Sequence, residues 1–338
     1  MPTASLQTAL AGTGRFPLLV EPGNALSLHQ CAQQHEAQIS QLLLEHGALL
    51  FRGFGVREVE FGEFVNSLAR ERLSYTYRST PRREVAQQVF TATEYPAHQH
   101  IPFHCENAYQ SDWPMMLAFC CIQPAASGGE TPLADVVRVT RRLPVQLVDE
   151  FRSRRVRYSR FYRPGTDLPW QDVFQTADPA VVAEFCAAHG IELTWAGADE
   201  LSTSQVCQAT ATHPQLGVEL WFNQAHLFHP SALGEEMAAM MLDLFGPDRL
   251  PRDARFGDGG PIDTRMLEIV REAFQNESVT FQWQSGDVLL VDNMQVAHGR
   301  TPFSGKRRVL VAMSDSYSSL ERRVRDVSRV RRAEQTNE

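Results

Sequence analysis

The sequence predicts a mainly β chain, one large antiparallel barrel or jelly roll with helical insertions, and three observations carry that reading. Short strand-like and turn-like pieces alternate without the regular strand and helix succession of a doubly wound sheet. The helical patterns fall between those pieces as insertions. Strong β character then returns late, in SVTFQWQSGDVLLVDNMQVAHGR (278–300) and KRRVLVAMSDSY (306–317).

Taken in order, residues 1–25 form an N-terminal arm whose one apolar cluster, Phe16 to Val20, reads as an edge strand. Residues 27–45 have the apolar spacing and polar opposite face of a helix, with Ser27 as N-cap and Gly47 as its stop. ALLFRGF (48–54) reads as a buried strand, and 57–73 as a second amphipathic helix. After a polar stretch through Arg83 come the strand-like or turn-like segments HIPFHCENAY, PMMLAFCCIQP, GGETPLAD, VRYSRFY and IELTW, with a helix at 179–189 before the last and another at 235–246. Residues 26–318 make one domain. Residues 319–338 form a tail in which six arginines between Arg322 and Arg332 face Glu321 and Asp326, a local charge of +4.

The chain has 338 residues, 43% hydrophobic and 21% charged, which excludes wholesale disorder. Its net charge of −8 argues against nucleic-acid or anionic-membrane binding by the body of the protein. No apolar run approaches the ~20 residues of a membrane span, and no basic segment precedes the short apolar stretch near the amino terminus, so neither an anchor nor a targeting signal is expected. Six cysteines without a CxxC pair suit a reducing, cytoplasmic setting. Cys120 and Cys121 sit in an apolar strand, where packing is expected rather than redox work.

His104 and Glu106 are two residues apart, and on an extended strand they would share a face while Cys105 points away. His298, after the strand-like run DVLLVDNM, would complete two imidazoles and one carboxylate, the set that leaves open positions on a non-haem iron(II). His98 and His100 precede Pro102 and read as loop residues; His226 and His229 have helical spacing and read as structural histidines. A zinc hydrolase could use the same three ligands, but HExxH is absent. A double-stranded β-helix that has lost its metal and only binds a partner is the rival of another class.

The motifs FRGF, TEYPAHQHIPFHCENAY, GGETPLAD, LTW, HPQLGVELWFNQAHLFHPS and VDNMQVAHGRTPFSGKRRVLVAM occur in that order. On them the chain resembles the iron(II) and 2-oxoglutarate-dependent taurine dioxygenase-like superfamily, from about Gly47 to Ser318. Within it, the chain looks like the branch from nonribosomal peptide and amino-acid-derived natural product pathways, such as the syringomycin-pathway hydroxylase. The resemblance implies a double-stranded β-helix, with 26–318 as the dioxygenase domain and iron(II) held by His104, Glu106 and His298. It also implies 2-oxoglutarate and O2 as co-substrates. The far carboxylate of 2-oxoglutarate would meet Arg307, with Arg308 in reserve because adjacent strand residues face opposite ways. Thr131 would supply a second contact to the co-substrate.

Because Glu106 stands where the superfamily's halogenases have a small residue, hydroxylation is expected and halogenation is not, with desaturation as a variant. The second Arg found four residues further on in taurine-type enzymes is replaced here by Val311 or Ala312. The substrate grip is therefore sought among Thr93, Glu94, Tyr95, Arg160, Trp221, Phe222 and Asn223. An amino acid is the implied substrate, presented on a peptidyl carrier protein that the Arg-rich tail would meet. The alternative is a free amino acid, with Arg160 as the partner of its carboxylate.

Overall fold

The computed structural model describes residues 6–10, 16–23, 26–73, 77, 82–86, 88–92 and 95–319. Among these, an eight-stranded sheet runs in the order Gln7–Leu10, Leu18–Glu21, Ala48–Phe51, Val288–Asp292, Asp112–Gln123, Arg308–Ser318, Val89–Thr91, Glu84–Ala86. A four-stranded sheet runs Ser278–Val279, Leu133–Asp135, Val296–Arg300, Ile101–His104. The two form the jelly roll. Leu117, Phe119, Leu289, Val291, Val309, Val311 and Met313 of the large sheet share one apolar cluster with Leu133, Val279 and Val296 of the small one.

Strand alternation sorts the large sheet into two faces. Met116, Ala118, Cys120, Leu310 and Ala312 point the other way, onto the helices Leu28–His46 and Glu58–Leu68 through Leu28, Ala32, Ile39, Phe61, Phe64 and Val65. The neighbouring thiols Cys120 and Cys121 thus enter different clusters, and burial pushes both up, Cys121 to about 12. That is the chemistry of packing residues.

The first helix forms as its ends dictate. Ser27 and Gln30 make a reciprocal capping box, and Gly47 closes the helix at φ +79°. The second helix ends at Leu68, short of the expected residue 73, because Asp315 Oδ1 accepts the backbone N–H groups of Arg70 and Glu71 and draws the chain toward the last strand. Residues 18–21 do form a strand, parallel to 48–51, and the strand at 7–10 lies outside it. A further sheet, Glu192–Trp195, Leu201–Cys207, Val156–Tyr162, Asp253–Phe256, packs with the helices Val136–Arg142, Val145–Arg154, Pro179–His189 and Thr264–Asn276 into a second large core. No helix among the described residues is long and apolar enough to cross a membrane.

Candidate metal centre

His104 and His298 are direct cross-strand partners where Ile101–His104 pairs antiparallel with Val296–Arg300, and their ring centroids are 4.3 Å apart. His298 Nε2 lies 3.9 Å from Glu106 Oε2. One ligand atom from each of His104, Glu106 and His298 falls within 4.8 Å of the others.

The carboxylate reaches this point by a route other than strand pleat. The strand ends at His104, and Glu106 opens the following turn. Its backbone N–H is accepted by Asn293 Oδ1 at 2.7 Å, and its carbonyl accepts from Asn293 Nδ2 at 3.0 Å. Asn293 itself sits in the turn between Val288–Asp292 and Val296–Arg300, also bonded to the Pro114 carbonyl at 2.8 Å. Asp292 braces that turn by accepting the N–H groups of Met294 and Gln295. His213 Nδ1 accepts two backbone N–H groups, so its Nε2–H donates to Asp292 Oδ2 at 2.9 Å.

Both site imidazoles are set for ligation. His104 Nδ1–H donates to the Pro102 carbonyl at 2.8 Å, which leaves the Nε2 lone pair for the centre. Burial pushes His104 below the usual histidine value, against the pull of Glu106. Burial, then the nearby His104 and Arg82, pushes His298 well below it. His298 Nδ1 is buried without a hydrogen-bond partner among the described residues, so the ring is positioned by packing against His104 and Phe119. Two neutral imidazoles and one carboxylate, gathered on one side, fit a divalent iron with open positions.

The cavity beside the triad is lined by Arg82, Phe119, Thr131, Arg300, Arg307 and Val311 among others. Arg307 shares the inward parity of Val309 and Val311, and burial, then the charge of Arg300, lowers its guanidinium to about 10. Its Nε donates to the Gly129 carbonyl at 2.8 Å. Arg308 faces the opposite side, where it pairs with Glu58 of the second helix. Trp283 Nε1–H donates to Thr131 Oγ1 at 3.0 Å. An indole N–H only donates, so the Thr131 hydroxyl keeps its own hydrogen for a ligand.

Two cavity arginines were not among the residues expected from the sequence. Arg82 lies in a polar stretch of no clear period, yet its Nη2 donates to Glu106 Oε2 at 2.7 Å in a buried pair, with Met313 Sδ at 4.0 Å from Nη1. Arg300 binds the carbonyls of Tyr95, Pro96 and Gln99 and so fastens the turn beside the cavity. The HGR triplet that contains it was its only trace.

The expected substrate residues are scattered. Thr93 and Glu94 lie outside the described residues. Tyr95 is 42% exposed and takes part through its carbonyl. Trp221 and Phe222 lie in the core: the first packs on Phe151 and the second on Trp113, and neither is among the described residues that line the cavity. Asn223 lies there too: its side-chain oxygen accepts the Ala225 N–H and its amide donates to the Ala209 carbonyl. Arg160 is buried in its strand with Asp167 Oδ2 at 3.6 Å and Tyr162 beneath its guanidinium, away from the cavity wall. His226 is structural: its Nε2–H donates to the Phe103 carbonyl at 3.0 Å, and burial drives it down to about 4. His229 caps the N–H of Ser231. His98 and His100 are exposed in the loop before the metal strand. The Arg-rich stretch from Arg322 to Arg332 lies outside the described residues.

The family model "Taurine catabolism dioxygenase TauD, TfdA family" matches residues 17–313. The chain is 40% identical over 319 residues to the dapdiamide synthesis protein DdaC of Enterobacter agglomerans, covering 94% of this chain and 96% of that one. It is 31% identical over 320 residues to a clavaminate synthase-like protein of Arabidopsis thaliana, covering 88% and 93%. Among solved structures, the fold resembles PvcB of Pseudomonas aeruginosa, with a TM-score of 0.54, 16% identity and coverage of 91% and 90%. It also resembles a taurine dioxygenase of Burkholderia xenovorans, with a TM-score of 0.54, 14% identity and coverage of 92% and 89%.

Proposed function

From the premise that the chain belongs to the TauD/TfdA dioxygenase family, and is an iron(II) and 2-oxoglutarate-dependent dioxygenase, we propose that it hydroxylates an unactivated C–H bond of an amino acid in the biosynthesis of a natural product. The observation that carries this reading is one cavity lined both by His104 and His298, which group with Glu106 as candidate metal ligands, and by Arg307 and Thr131. The 40% identity to a dapdiamide synthesis protein supports the pathway class.

Iron(II), when bound, supplies the oxidising power by coupling O2 reduction to decarboxylation of 2-oxoglutarate to succinate and carbon dioxide. The residues supply placement. His104, Glu106 and His298 would hold the metal, and a set of three protein ligands would leave positions for the co-substrate. Arg307 offers a buried guanidinium fork, and Thr131 a hydroxyl donor, to the far carboxylate of 2-oxoglutarate. Phe119, Val309 and Val311 give the cavity apolar walls that keep bulk water from the reacting carbon.

Two presentations of the substrate remain in play within this reading. An amino acid held as a thioester on a peptidyl carrier needs no partner for its α-carboxylate, and the basic tail would meet the acidic carrier. A free amino acid needs a cation inside the cavity. The test is anaerobic reconstitution with iron(II) and 2-oxoglutarate, followed through the visible charge-transfer band, then a mass-spectrometric screen of free and carrier-loaded amino acids. His104→Ala, Glu106→Ala and His298→Ala should each abolish succinate formation and leave the far-ultraviolet circular dichroism unchanged. Near-normal turnover in any one of them removes that residue from the centre.

A further inference from the structure

Resting on the oxygenase reading, we propose that Gln224 is a positioning residue for the metal centre, which fixes the direction of Glu106 through the peptide bond that precedes it. The Cys105–Glu106 peptide is held at both ends. Its N–H donates to Asn293 Oδ1 at 2.7 Å, and its carbonyl accepts from Gln224 Nε2 at 2.6 Å. A peptide group is planar, so two short hydrogen bonds at its opposite edges fix its rotation about the line between the two Cα atoms. That rotation aims the Cα–Cβ bond of Glu106, and with it the carboxylate that lies 3.9 Å from His298 Nε2. The turn draws on support from outside at this point. His104 ends its strand, Glu106 lies in the turn, and Asn107 takes a left-handed φ of +58° directly after it. Within the turn itself, the Cys105 carbonyl accepts from Ala108 N–H at a longer 3.3 Å.

Gln224 reaches that carbonyl from a fixed base. It is buried, its own N–H donates to Tyr158 Oη at 2.7 Å, and its carbonyl accepts the N–H groups of Leu227 and Phe228, which opens the helical turn Ala225–Phe228. The side-chain amide therefore extends from a backbone held on both sides. Tyr158 belongs to the strand Val156–Tyr162 of the further sheet, so this amide ties the second large core to the metal centre. The run LWFNQ thus acts through its last residue: Trp221 and Phe222 pack, Asn223 shapes the turn, and Gln224 holds the peptide.

A third amide separates this role from the stability of the turn in general. Gln208 Nε2 donates to the carbonyls of Ala108 and Gln110, each at 3.0 Å, further along the chain and on neither peptide group of Glu106. Gln208 and Gln224 both brace the turn, but only Gln224 holds the bond that leads into the metal carboxylate.

The test is an anaerobic titration of the full-length apoprotein with iron(II), read through the charge-transfer band in the presence of 2-oxoglutarate and set beside the melting temperature of the metal-free protein. Gln224→Met keeps the length of the side chain but removes the donor. It should weaken iron(II) binding by about tenfold or more, as for other partners behind a metal ligand. Gln208→Met, whatever its cost in melting temperature, should leave the iron affinity near that of wild type. If Gln224→Met fails to fold, Gln224→Asn, which keeps the amide and shortens its reach, takes its place with the same expectation. The proposal is overturned if the Gln224 variant that folds binds iron as wild type does. It is equally overturned if Gln208→Met weakens iron binding as much, since the stability of the turn would then govern the affinity, or if neither Gln224 variant folds, since the amide would then serve the fold. A wild-type protein that takes up no iron and forms no band sinks the oxygenase reading itself.

Discussion

Asn293 holds Glu106 by both groups of its backbone, accepting its N–H at 2.7 Å and donating to its carbonyl at 3.0 Å. Both residues are buried, and the link joins the turn after the first metal strand to the turn before the second. The orientation of the metal carboxylate is therefore set from the strand pair that carries His298.

Loss of that clamp should loosen the metal. Partners behind a metal ligand typically govern affinity by about 10- to 100-fold, so Asn293→Ala should weaken iron(II) binding by that order in an anaerobic titration. Asn293→Asp keeps the acceptor for Glu106 N–H but sets a buried carboxylate oxygen against two carbonyl oxygens, and should weaken binding at least as much. An unchanged iron affinity in Asn293→Ala would show that the turn holds Glu106 without it.

The two neighbouring arginines should separate cleanly. Arg307→Ala removes a buried cation from its carboxylate partner, at about 2–5 kcal/mol, which is on the order of 30-fold to a few thousand-fold in the KM for 2-oxoglutarate. Arg308 pairs with Glu58 at the surface, where such pairs contribute about 0–1 kcal/mol. Arg308→Ala should leave that KM nearly unchanged. The reverse pattern would place the co-substrate on the other face of the strand.

Alkaline pH provides an independent check on Arg307. Burial lowers its guanidinium to about 10. The protonated form binds the dianion, so 2-oxoglutarate affinity should be flat from neutral pH to about 9 and fall as pH rises through 10. Arg307→Lys should also titrate in the alkaline range, whereas an affinity that stays level past pH 11 would mean that another group holds the co-substrate.

Gly129 makes room for that guanidinium. It lies at φ +75°, and a Cβ there would stand 3.0 Å from Arg307 Cδ and 3.1 Å from its Nε. Gly129→Ala should raise the KM for 2-oxoglutarate and lower the melting temperature, since a left-handed conformation costs a non-glycine residue about 1–2 kcal/mol. A lowered melting temperature with an unaltered KM would mean that Arg307 adapts.

The buried pair of Arg82 and Glu106 should matter most when no metal is bound. Breaking such a pair costs roughly 3–5 kcal/mol by stranding the remaining charge. Arg82→Ala should therefore lower the melting temperature of the apoprotein more than that of the iron-loaded protein. Equal losses in the two forms would argue that Glu106 does not pass from Arg82 to the metal.

Local pattern made much of this protein readable from its sequence. Ser27, Gln30 and Gly47 specify a helix by hydrogen bonds within a few residues. Period-two alternation allowed only one of Arg307 and Arg308 to face inward, and the motif resemblance put Arg307 first. Residue chemistry and motif order brought His104, Glu106, His298 and Thr131 together as candidates, because a metal or a carboxylate accepts few side-chain types.

Tertiary structure alone decided the rest. Which aromatic residues fill a core and which line a cavity depends on neighbours far along the chain, so Trp221 and Phe222 carried the composition of a pocket and the position of a core. The true placement of Glu106 needed Asn293, 187 residues away in sequence. Arg82 reached the metal centre from a segment with no period to read. Hydrogen bonds and ion pairs across sheets depend on distance in space, and a sequence records only distance along the chain.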